Sequence, residues 1–262
     1  MHPFLNTAVQ AAQSAGDFIM RQIYKVDRLQ MTEKTPQHWV SEVDIKAEQL
    51  IVDLIHQRYP SHGILGEEGG LQEGTQQPGE DACLWIIDPL DGTHNFLHEI
   101  PHYAVSIALQ VNNRTEHAVI YDPVKRECFS ATRGAGARCN DKKIRVASRS
   151  NLKEAMLGTS CGSQSANESY FNLMQKMWTQ ALGVRRLGSA ALDLAYVASG
   201  RLDGAWAVGL SAWDIAAGAL IIKEAGGLVG DFEGGEDFLK NQAIVAGNPK
   251  IFKAILQTIH RA

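Results

Sequence analysis

The sequence predicts a mixed α/β (α+β) fold, with helices and an antiparallel sheet in the first half and alternating strands and helices in the second. Apolar residues recur at helical spacing between residues 5 and 24 and again between 43 and 58. Alternating apolar and polar segments follow, separated by turn residues such as Asn112-Asn113 and Asp122-Pro123. From about Ser148, short apolar segments alternate with longer segments of helical period. Together these patterns favour two closely packed halves.

The first half is predicted to begin with two amphipathic helices joined by a polar segment. Residues 32–37 contain Pro36, which suits a loop or hairpin between the helices. Ser41 lies three residues before Asp44, so its hydroxyl is expected to cap the second helix, with Asp44 in the first turn. A short apolar segment is expected at residues 63–66, a polar surface flap at 71–81 and a buried strand at 84–87. An antiparallel meander of three strands is expected at residues 104–109, 118–121 and 128–131.

The second half is predicted to alternate strands with helices. The strands are expected at residues 155–159, 184–186, 204–208 and 243–246. The helices are expected at residues 168–180, 189–199, 213–225 and 249–260. Gly226 and Gly227 follow the third of these helices, at a place where a left-handed residue commonly ends a helix.

Composition indicates a compact protein. With 262 residues and 45% hydrophobic content, we expect one domain over residues 1–262, with halves of about 1–147 and 148–262. No apolar stretch reaches the roughly 20 residues of a membrane span, and no secretory signal is visible, which favours a cytoplasmic location. The net charge of -4 gives no overall attraction for nucleic acid, and no direct DNA-binding motif is present. This charge leaves protein and RNA partners open.

Two aspartates three residues apart, Asp88 and Asp91, form the most informative motif. They follow the apolar residues 84–87 and lead into Gly92, so both carboxylates are able to converge on one divalent cation. If a helix begins at Gly92-Thr93, its N–H groups suit a phosphate oxygen at the same place. The motif alone leaves an alternative, in which Asp91 forms an ordinary Asx turn that caps the helix. It therefore indicates either metal-assisted phosphoryl chemistry or a capped turn.

The wider sequence resembles the inositol monophosphatase family. Residues 85–96 resemble the first signature of that family, and residues 213–218, continuing through 223–227, resemble its carboxy-terminal motif. Gly66-Glu67-Glu68 and residues 40–44 resemble two further elements of the family. The resemblance covers nearly the whole chain and is closest to the bacterial SuhB-type branch.

This resemblance implies a layered αβαβα sandwich and a site for two or three Mg²⁺ ions. The implied metal ligands are Glu67, Asp88, the backbone carbonyl of Leu90, Asp91 and Asp214. Catalytic roles are implied for Glu67 and Thr93, which would position the attacking water, and for Asp44, which would accept the Thr93 proton. The implied substrate-binding residues are Asp91, Gly92, Thr93, Arg185, Gly188, Ser189, Ala190 and Asp214.

The resemblance also implies a phosphatase that releases inorganic phosphate from inositol 1-phosphate or a similar small polyol phosphate. Relatives that act on a nucleotide 3′-phosphate, a sugar bisphosphate or NADP have the same metal motifs, so these substrates stay open. Another possibility is a role in transcription antitermination, through contacts with Nus factors and RNA polymerase. A homodimer and inhibition by lithium are implied as well.

One position departs from the family pattern. Inositol recognition in the family uses a glutamate seven residues before the carboxy-terminal metal aspartate, where this chain has Ala207. The loss of a carboxylate that accepts hydrogen bonds from a polyol removes specificity and leaves the metal ligands in place. We therefore expect relaxed or shifted specificity for the alcohol part of the substrate.

Overall fold

A computed structural model describes residues 2–28, 31–35, 38–75, 77, 79–162 and 165–261. The helices are α1 Pro3–Gln22, α2 Glu42–Arg58, α3 Thr93–Leu97, α4 Glu168–Gln180, α5 Ala190–Ala198, α6 Ala212–Glu224, α7 Phe238–Asn241 and α8 Pro249–Ile259. The strands are β1 Met31–Thr35, β2 His38–Ser41, β3 Gly63–Gly66, β4 Gly70–Gln72, β5 Cys83–Asp91, β6 Ala104–Val111, β7 Arg114–Asp122, β8 Glu127–Thr132, β9 Gly136–Cys139, β10 Lys142–Lys143, β11 Met156–Cys161, β12 Gly183–Arg185, β13 Gly204–Val208, β14 Leu228–Gly230 and β15 Ala243–Gly247. Short 3-10 helices lie at Ile23–Arg28 and Leu152–Glu154.

The long predicted helices are confirmed. Helix α4 has the predicted bounds, and the bounds of α1, α2, α5, α6 and α8 differ from the prediction by no more than two residues at either end. Of the two alternatives for residues 32–37, a loop or a hairpin, the structure shows the hairpin: β1 and β2 pair antiparallel, although Pro36 and Gln37 lie outside the described residues. Strands β4, β9, β10 and β14 and helix α7 were not predicted from the sequence, because two to four residues rarely show a clear hydrophobic period.

Five layers alternate between helices and sheets, as the predicted αβαβα sandwich requires. Helices α1 and α2 pack on one face of an eight-stranded sheet of order β10-β9-β8-β7-β6-β5-β3-β4. Helices α5 and α6 fill the space between its other face and a five-stranded sheet of order β12-β11-β13-β15-β14. Helices α4 and α8 cover the outer face of the second sheet. The largest core therefore lies in the middle helical layer, where both sheets contribute to it.

Alternation along the strands decides which layer receives each side chain. In β5, Trp85 and Ile87 pack with α1 and α2, whereas Ile86 faces the middle layer. In β13, Trp206 faces α4 and α8, whereas Ala205 and Ala207 face the middle layer. The small residues of β13 allow α5 to approach the second sheet closely.

The opening of α2 shows how local sequence positions a buried acid. The Ser41 hydroxyl accepts the Val43 N–H at 3.1 Å, and the Asp44 carboxylate accepts the Ser41 N–H at 2.9 Å. This reciprocal capping box confirms the predicted helix start. It also fixes Asp44 at the amino-terminal end of α2.

The structure holds no helix in its described part that combines the length and the apolar character needed to cross a bilayer.

Candidate active site

Strand β5 brings the two aspartates of the motif into one cleft. The strand is longer than predicted and includes Asp88 and Asp91, with a register irregularity against β6 between them. In a regular strand, residues three apart point to opposite faces. Pro89 lies at the irregularity, where its missing N–H costs no ladder hydrogen bond, and the Leu90 N–H instead donates to Asp88 Oδ1 at 3.0 Å. The irregular backbone is what allows both carboxylates to reach the same cleft.

Asp214 reaches this cleft from the first turn of α6. The Ser211 N–H donates to Asp214 Oδ2 at 2.7 Å, in a second capping box. One carboxylate oxygen each of Asp88, Asp91 and Asp214 lies within 4.8 Å of the others. Three oxygens at this separation are able to surround one cation.

Burial and mutual repulsion disfavour the charged forms of these acids. Loss of hydration is the main cause that raises the pKa of Asp88 and Asp214 well above the usual value, and the charges of Asp91 and Glu67 raise both further. Burial likewise raises the pKa of Asp91 to about 6. A buried cluster of like charges is relieved by a positive counter-charge, and an all-oxygen donor set suits a hard divalent cation. The cluster therefore fits a metal ion of the Mg²⁺ type.

The amino-terminal end of α5 holds Asp91 in position. Ser189 Oγ donates to Asp91 Oδ2, the Ala191 N–H donates to the same oxygen at 2.8 Å, and the Ala190 N–H donates to Oδ1 at 3.2 Å. These hydrogen bonds favour the charged carboxylate and partly offset the effect of burial on its pKa. Ser189 itself is buried and caps α5. It therefore acts through Asp91.

Two glycines allow the backbone to close tightly beside the carboxylates. Gly92 has a φ of +100°, and a Cβ there would lie 3.1 Å from the carbonyl oxygens of Gly188 and His102. Gly188 has a φ of +88°, and a Cβ there would lie 2.7 Å from Asn95 Nδ2. The same Asn95 amide donates to the carbonyls of His102 and Leu187 at 2.7 and 2.8 Å. The start of α3 and the loop before α5 are thus locked together at the cleft.

Thr93 connects the cleft to the buried acid of α2. Its hydroxyl donates to Asp44 Oδ1 at 2.7 Å and lies 3.1 Å from the Leu90 carbonyl oxygen. Burial raises the pKa of Asp44, while hydrogen bonds from Ser41 and Thr93 lower it. Because the Thr93 proton is directed toward Asp44, the hydroxyl oxygen is able to accept a hydrogen bond from a molecule in the cleft.

Glu48 is a positioning residue that sequence reasoning missed. Its buried carboxylate accepts the Glu68 N–H at 2.9 Å and the Gly69 N–H at 2.6 Å. These bonds hold the segment that directly follows Glu67. The available signal was the spacing, since Glu48 follows Asp44 by four residues and therefore lies on the same face of α2.

The cleft has a volume of about 270 Å³. The predicted site residues that line it are Glu67, Asp88, Leu90, Asp91, Gly92, Thr93, Gly188, Ala190 and Asp214. Ser189 and Asp44 lie behind this surface, where they hold Asp91 and Thr93. Residues from four separate parts of the chain therefore meet at one place, and carboxylates dominate its charge.

A sequence model of the inositol monophosphatase family matches residues 1–262. The chain belongs to this family. It is 52% identical over 264 residues to a Pseudomonas aeruginosa protein called Nus factor SuhB, with 99% of this chain and 96% of the relative covered.

Solved structures agree with the family. The extragenic suppressor protein suhB from Bartonella henselae superposes with a TM-score of 0.95 at 40% identity and covers 100% of both chains. An inositol monophosphatase from Anabaena superposes with a TM-score of 0.85 at 34% identity, covering 99% of this chain and 96% of that one. The recognised resemblance, including its SuhB-type branch, is confirmed.

One residue implied by the inositol monophosphatase resemblance lies elsewhere. Arg185 is exposed in β12 and directs a guanidinium nitrogen to the Val184 carbonyl at 3.1 Å, whereas its neighbour Arg186 lines the cleft. Adjacent residues of an extended segment point in opposite directions, so both arginines cannot face the cleft. Arg186, whose Nη2 lies 3.4 Å from the Cys161 carbonyl oxygen, replaces Arg185 as the candidate substrate contact.

Glu48→Gln is expected to weaken the binding of a divalent cation at the acid cluster. A glutamine can accept at its carbonyl oxygen, but its NH₂ group opposes one of the two backbone N–H donors that Glu48 now holds. We expect the Mg²⁺ concentration for half-saturation of the acid cluster to rise about tenfold. Glu73→Gln, at an exposed position of the same segment, is the matched control. An unchanged Mg²⁺ requirement in Glu48→Gln would contradict this role.

The stabilisation that Mg²⁺ gives to the folded protein is expected to grow with pH. In the metal-free protein the pKa of Asp91 is raised to about 6, so between pH 4 and 6 the folded protein keeps a proton on this carboxyl that the unfolded chain releases. The contribution of this group to the free energy of unfolding is therefore lost as pH rises from about 4 through 6. For Asp91 alone the loss is about 3 kcal/mol. Bound Mg²⁺ favours the ionised form, so its stabilising effect increases over the same range.

Thermal unfolding with Mg²⁺ and with EDTA, at several pH values, measures this effect. The difference in Tm between the Mg²⁺ and EDTA samples is the relevant quantity. Buried His117, whose pKa is lowered to about 4, makes the protein more stable as pH rises, which is opposite to the effect of Asp91, but it does so in both samples and cancels in the difference. A Mg²⁺ stabilisation that is equal at pH 5 and pH 8 would contradict the assignment.

Proposed function

We propose that this chain is a Mg²⁺-dependent phosphate monoester hydrolase that acts on inositol 1-phosphate or a similar small polyol phosphate. The observation that carries the proposal is the convergence of Asp88, Asp91 and Asp214, whose carboxylate oxygens lie within 4.8 Å of one another in a cleft that Glu67 also lines. Membership of the inositol monophosphatase family supports the same conclusion.

The residues proposed to hold two or three Mg²⁺ ions are Glu67, Asp88, Asp91 and Asp214, together with the carbonyl of Leu90. When bound, Mg²⁺ would supply a Lewis acid that neutralises the phosphate charge and lowers the pKa of water. The fit rests on the repulsion within the buried acids, which raises the pKa of Asp88 and Asp214 well above the usual value. Leu90 lines the cleft together with these acids, so its carbonyl is proposed as a further oxygen ligand.

Thr93 and Glu67 are proposed to orient the attacking water. The Thr93 hydroxyl donates to Asp44 at 2.7 Å, so its oxygen accepts a hydrogen bond from the water and directs the water lone pair toward phosphorus. Glu67 lines the cleft and accepts a hydrogen bond from the other O–H of the water, whose proton stays on the phosphate that forms. Asp44, whose pKa is raised by burial, then serves as the proton acceptor behind Thr93.

Backbone and arginine groups are proposed to bind the rest of the substrate. Gly92 and Thr93 line the cleft together with the carboxylates, and their N–H groups are proposed to bind phosphate oxygens. Arg186 adds a fixed positive charge at the cleft wall, where it complements an anionic substrate. Since Ala207 stands where the family has a glutamate, we propose relaxed specificity for the alcohol.

A substrate panel tests the proposal. The same metal chemistry could serve a nucleotide 3′-phosphate, a sugar bisphosphate or NADP, so release of inorganic phosphate is measured for these and for inositol 1-phosphate, with Mg²⁺ or with EDTA. We expect Mg²⁺-dependent release, with the polyol phosphate among the good substrates. Activity only on one of the other substrate classes would contradict the polyol phosphate and assign that class as the substrate. Full selectivity for inositol phosphate in the native enzyme, with no gain from Ala207→Glu, would contradict the relaxed specificity.

A second function is proposed in transcription antitermination, with Nus factors and RNA polymerase as partners. The observation that favours it is the 52% identity to the Pseudomonas aeruginosa protein named Nus factor SuhB. Affinity purification from the host, with native protein and with Asp88→Asn, separates the two functions. Recovery of RNA polymerase with both proteins supports a role independent of catalysis, and recovery with neither would contradict it.

A homodimer and inhibition by lithium are proposed on the same family basis. Sedimentation of the purified chain tests the first, and a lithium titration of Mg²⁺-dependent activity tests the second. Activity that does not respond to lithium would contradict close kinship of the metal site.

A further inference from the structure

Among the described residues, a buried carboxylate outside the acid cluster has one oxygen without a hydrogen-bond partner. Asp193, in α5, is 2% exposed, and its Oδ2 accepts the Ser160 hydroxyl at 3.2 Å. Within the described part of the chain, Asp193 Oδ1 has no hydrogen-bond partner. A buried carboxylate oxygen without a partner costs free energy, so such a group points to a ligand or water nearby.

A small cavity lies at this carboxylate. It has a volume of about 10 Å³, close to the smallest space that holds one water molecule, and Asp193 and Ser160 both line it. Ser160, Ala190 and Leu210 line this cavity and also the active-site cleft. A single layer of side chains therefore separates Asp193 from the active-site cleft.

Ala207, the position that departs from the family pattern, lines the same small cavity. Strands β11 and β13 are parallel, and their register places Ser160 directly beside Ala207. A glutamate at position 207 would bring its own acceptor to this small cavity beside the cleft. In this chain, Ser160 is the neighbouring polar side chain on the adjacent strand, and Asp193 supports it from behind.

We propose that Ser160, oriented by Asp193, forms a subsite that accepts a hydrogen bond from a hydroxyl of the substrate's alcohol part. This inference rests on the proposed phosphatase function and names the specificity-determining group within it. The Ser160 proton is directed to Asp193 Oδ2, so the serine oxygen presents lone pairs to the cleft. Phosphate esters of polyols are the class that such an acceptor recognises. An aryl phosphate without ring hydroxyls gains nothing from it.

The test compares two substrates in the native protein, Ser160→Ala, Ser160→Thr and Asp193→Asn, all with Mg²⁺. The substrates are inositol 1-phosphate and 4-nitrophenyl phosphate, and the readout is the ratio of their kcat/KM values. We expect Ser160→Ala to lower this ratio about 3- to 10-fold, mainly through KM for inositol 1-phosphate, as the loss of one neutral hydrogen bond predicts. Ser160→Thr keeps a hydroxyl and is expected to retain most of the native kcat/KM ratio. Asp193→Asn is expected to lower it.

Several outcomes would overturn the subsite. An unchanged ratio in Ser160→Ala, or native hydrolysis of 4-nitrophenyl phosphate alone, contradicts it. Ser130→Ala, a buried serine of β8, is the matched control and should leave the ratio at the native value. If Asp193→Asn does not fold, the two Ser160 variants decide the question. A native protein that releases phosphate from neither substrate would contradict the proposed function and not the subsite alone.

Discussion

Asp88→Asn is expected to lower kcat/KM about a thousandfold and, at the same time, to make the metal-free protein more stable. The loss of activity follows because an amide is a poor ligand for a hard cation, and a thousandfold loss corresponds to about 4 kcal/mol of transition-state stabilisation. The gain in stability follows because Asp88 is buried and repelled by Glu67, Asp91 and Asp214, which raises its pKa. A neutral side chain of the same shape removes that repulsion.

The pH dependence of the gain identifies its cause. A carboxyl with a raised pKa is protonated in the folded protein near pH 4, so asparagine brings no advantage there. Near pH 8 the advantage is greatest, and each kcal/mol raises Tm by about 2–4 °C in a chain of this size. Melting curves in EDTA at both pH values measure it.

Asp122→Asn is the matched control for this experiment. Asp122 is also a buried aspartate, but it is paired with Lys125 at 2.8 Å. Its replacement is expected to lower stability and leave the Mg²⁺ requirement unchanged. A Tm of metal-free Asp88→Asn below the native value at pH 8 would contradict the account of a repelling acid cluster.

Thr93→Val is expected to lower kcat about a hundredfold with a smaller change in KM. Valine keeps the shape of threonine but removes the hydroxyl that lies 2.7 Å from Asp44 and faces the cleft. General acid–base groups contribute about 10²–10⁴-fold to rates, so the lower end of that range applies to a residue that orients the water and relays its proton. Steady-state kinetics with saturating Mg²⁺ measure the effect.

Asp44→Asn tests whether Thr93 and Asp44 act as one unit. The double variant is expected to be little slower than the slower single variant, because both changes break the same hydrogen bond. Thr93→Ser keeps the hydroxyl and is the conservative control, expected to retain most activity. Multiplicative losses in the double variant would show that the two residues act separately.

The motif around Asp88 could be predicted because its residues are neighbours in the sequence. The two aspartates and Gly92 form one local arrangement. The alternative in which Asp91 caps the following helix is wrong, because α3 has Gly92 at its N-cap without a side-chain cap bond, and the Asp91 carboxylate instead bonds to α5 and contributes an oxygen to the cluster. Capping at Ser41 was predictable for the same reason, because the helix start depends on four consecutive residues.

Other parts of the site depend on contacts between distant residues and are not visible in local patterns. The bond between Ser189 and Asp91 joins residues 98 positions apart, and the bond between Glu48 and Gly69 joins residues 21 positions apart. The choice of Arg186 over Arg185 depends on the direction of the chain as it leaves β12. Only the packed structure determines these relations.

Release of inorganic phosphate from inositol 1-phosphate, measured side by side with Mg²⁺ and with EDTA in native protein and Asp88→Asn, is the most direct test that the acid cluster is a metal-dependent phosphatase site. We expect release by the native protein with Mg²⁺, none with EDTA, and about a thousandfold less with Asp88→Asn. Equal release by the native protein with Mg²⁺ and with EDTA, or full activity in Asp88→Asn, would contradict the assignment.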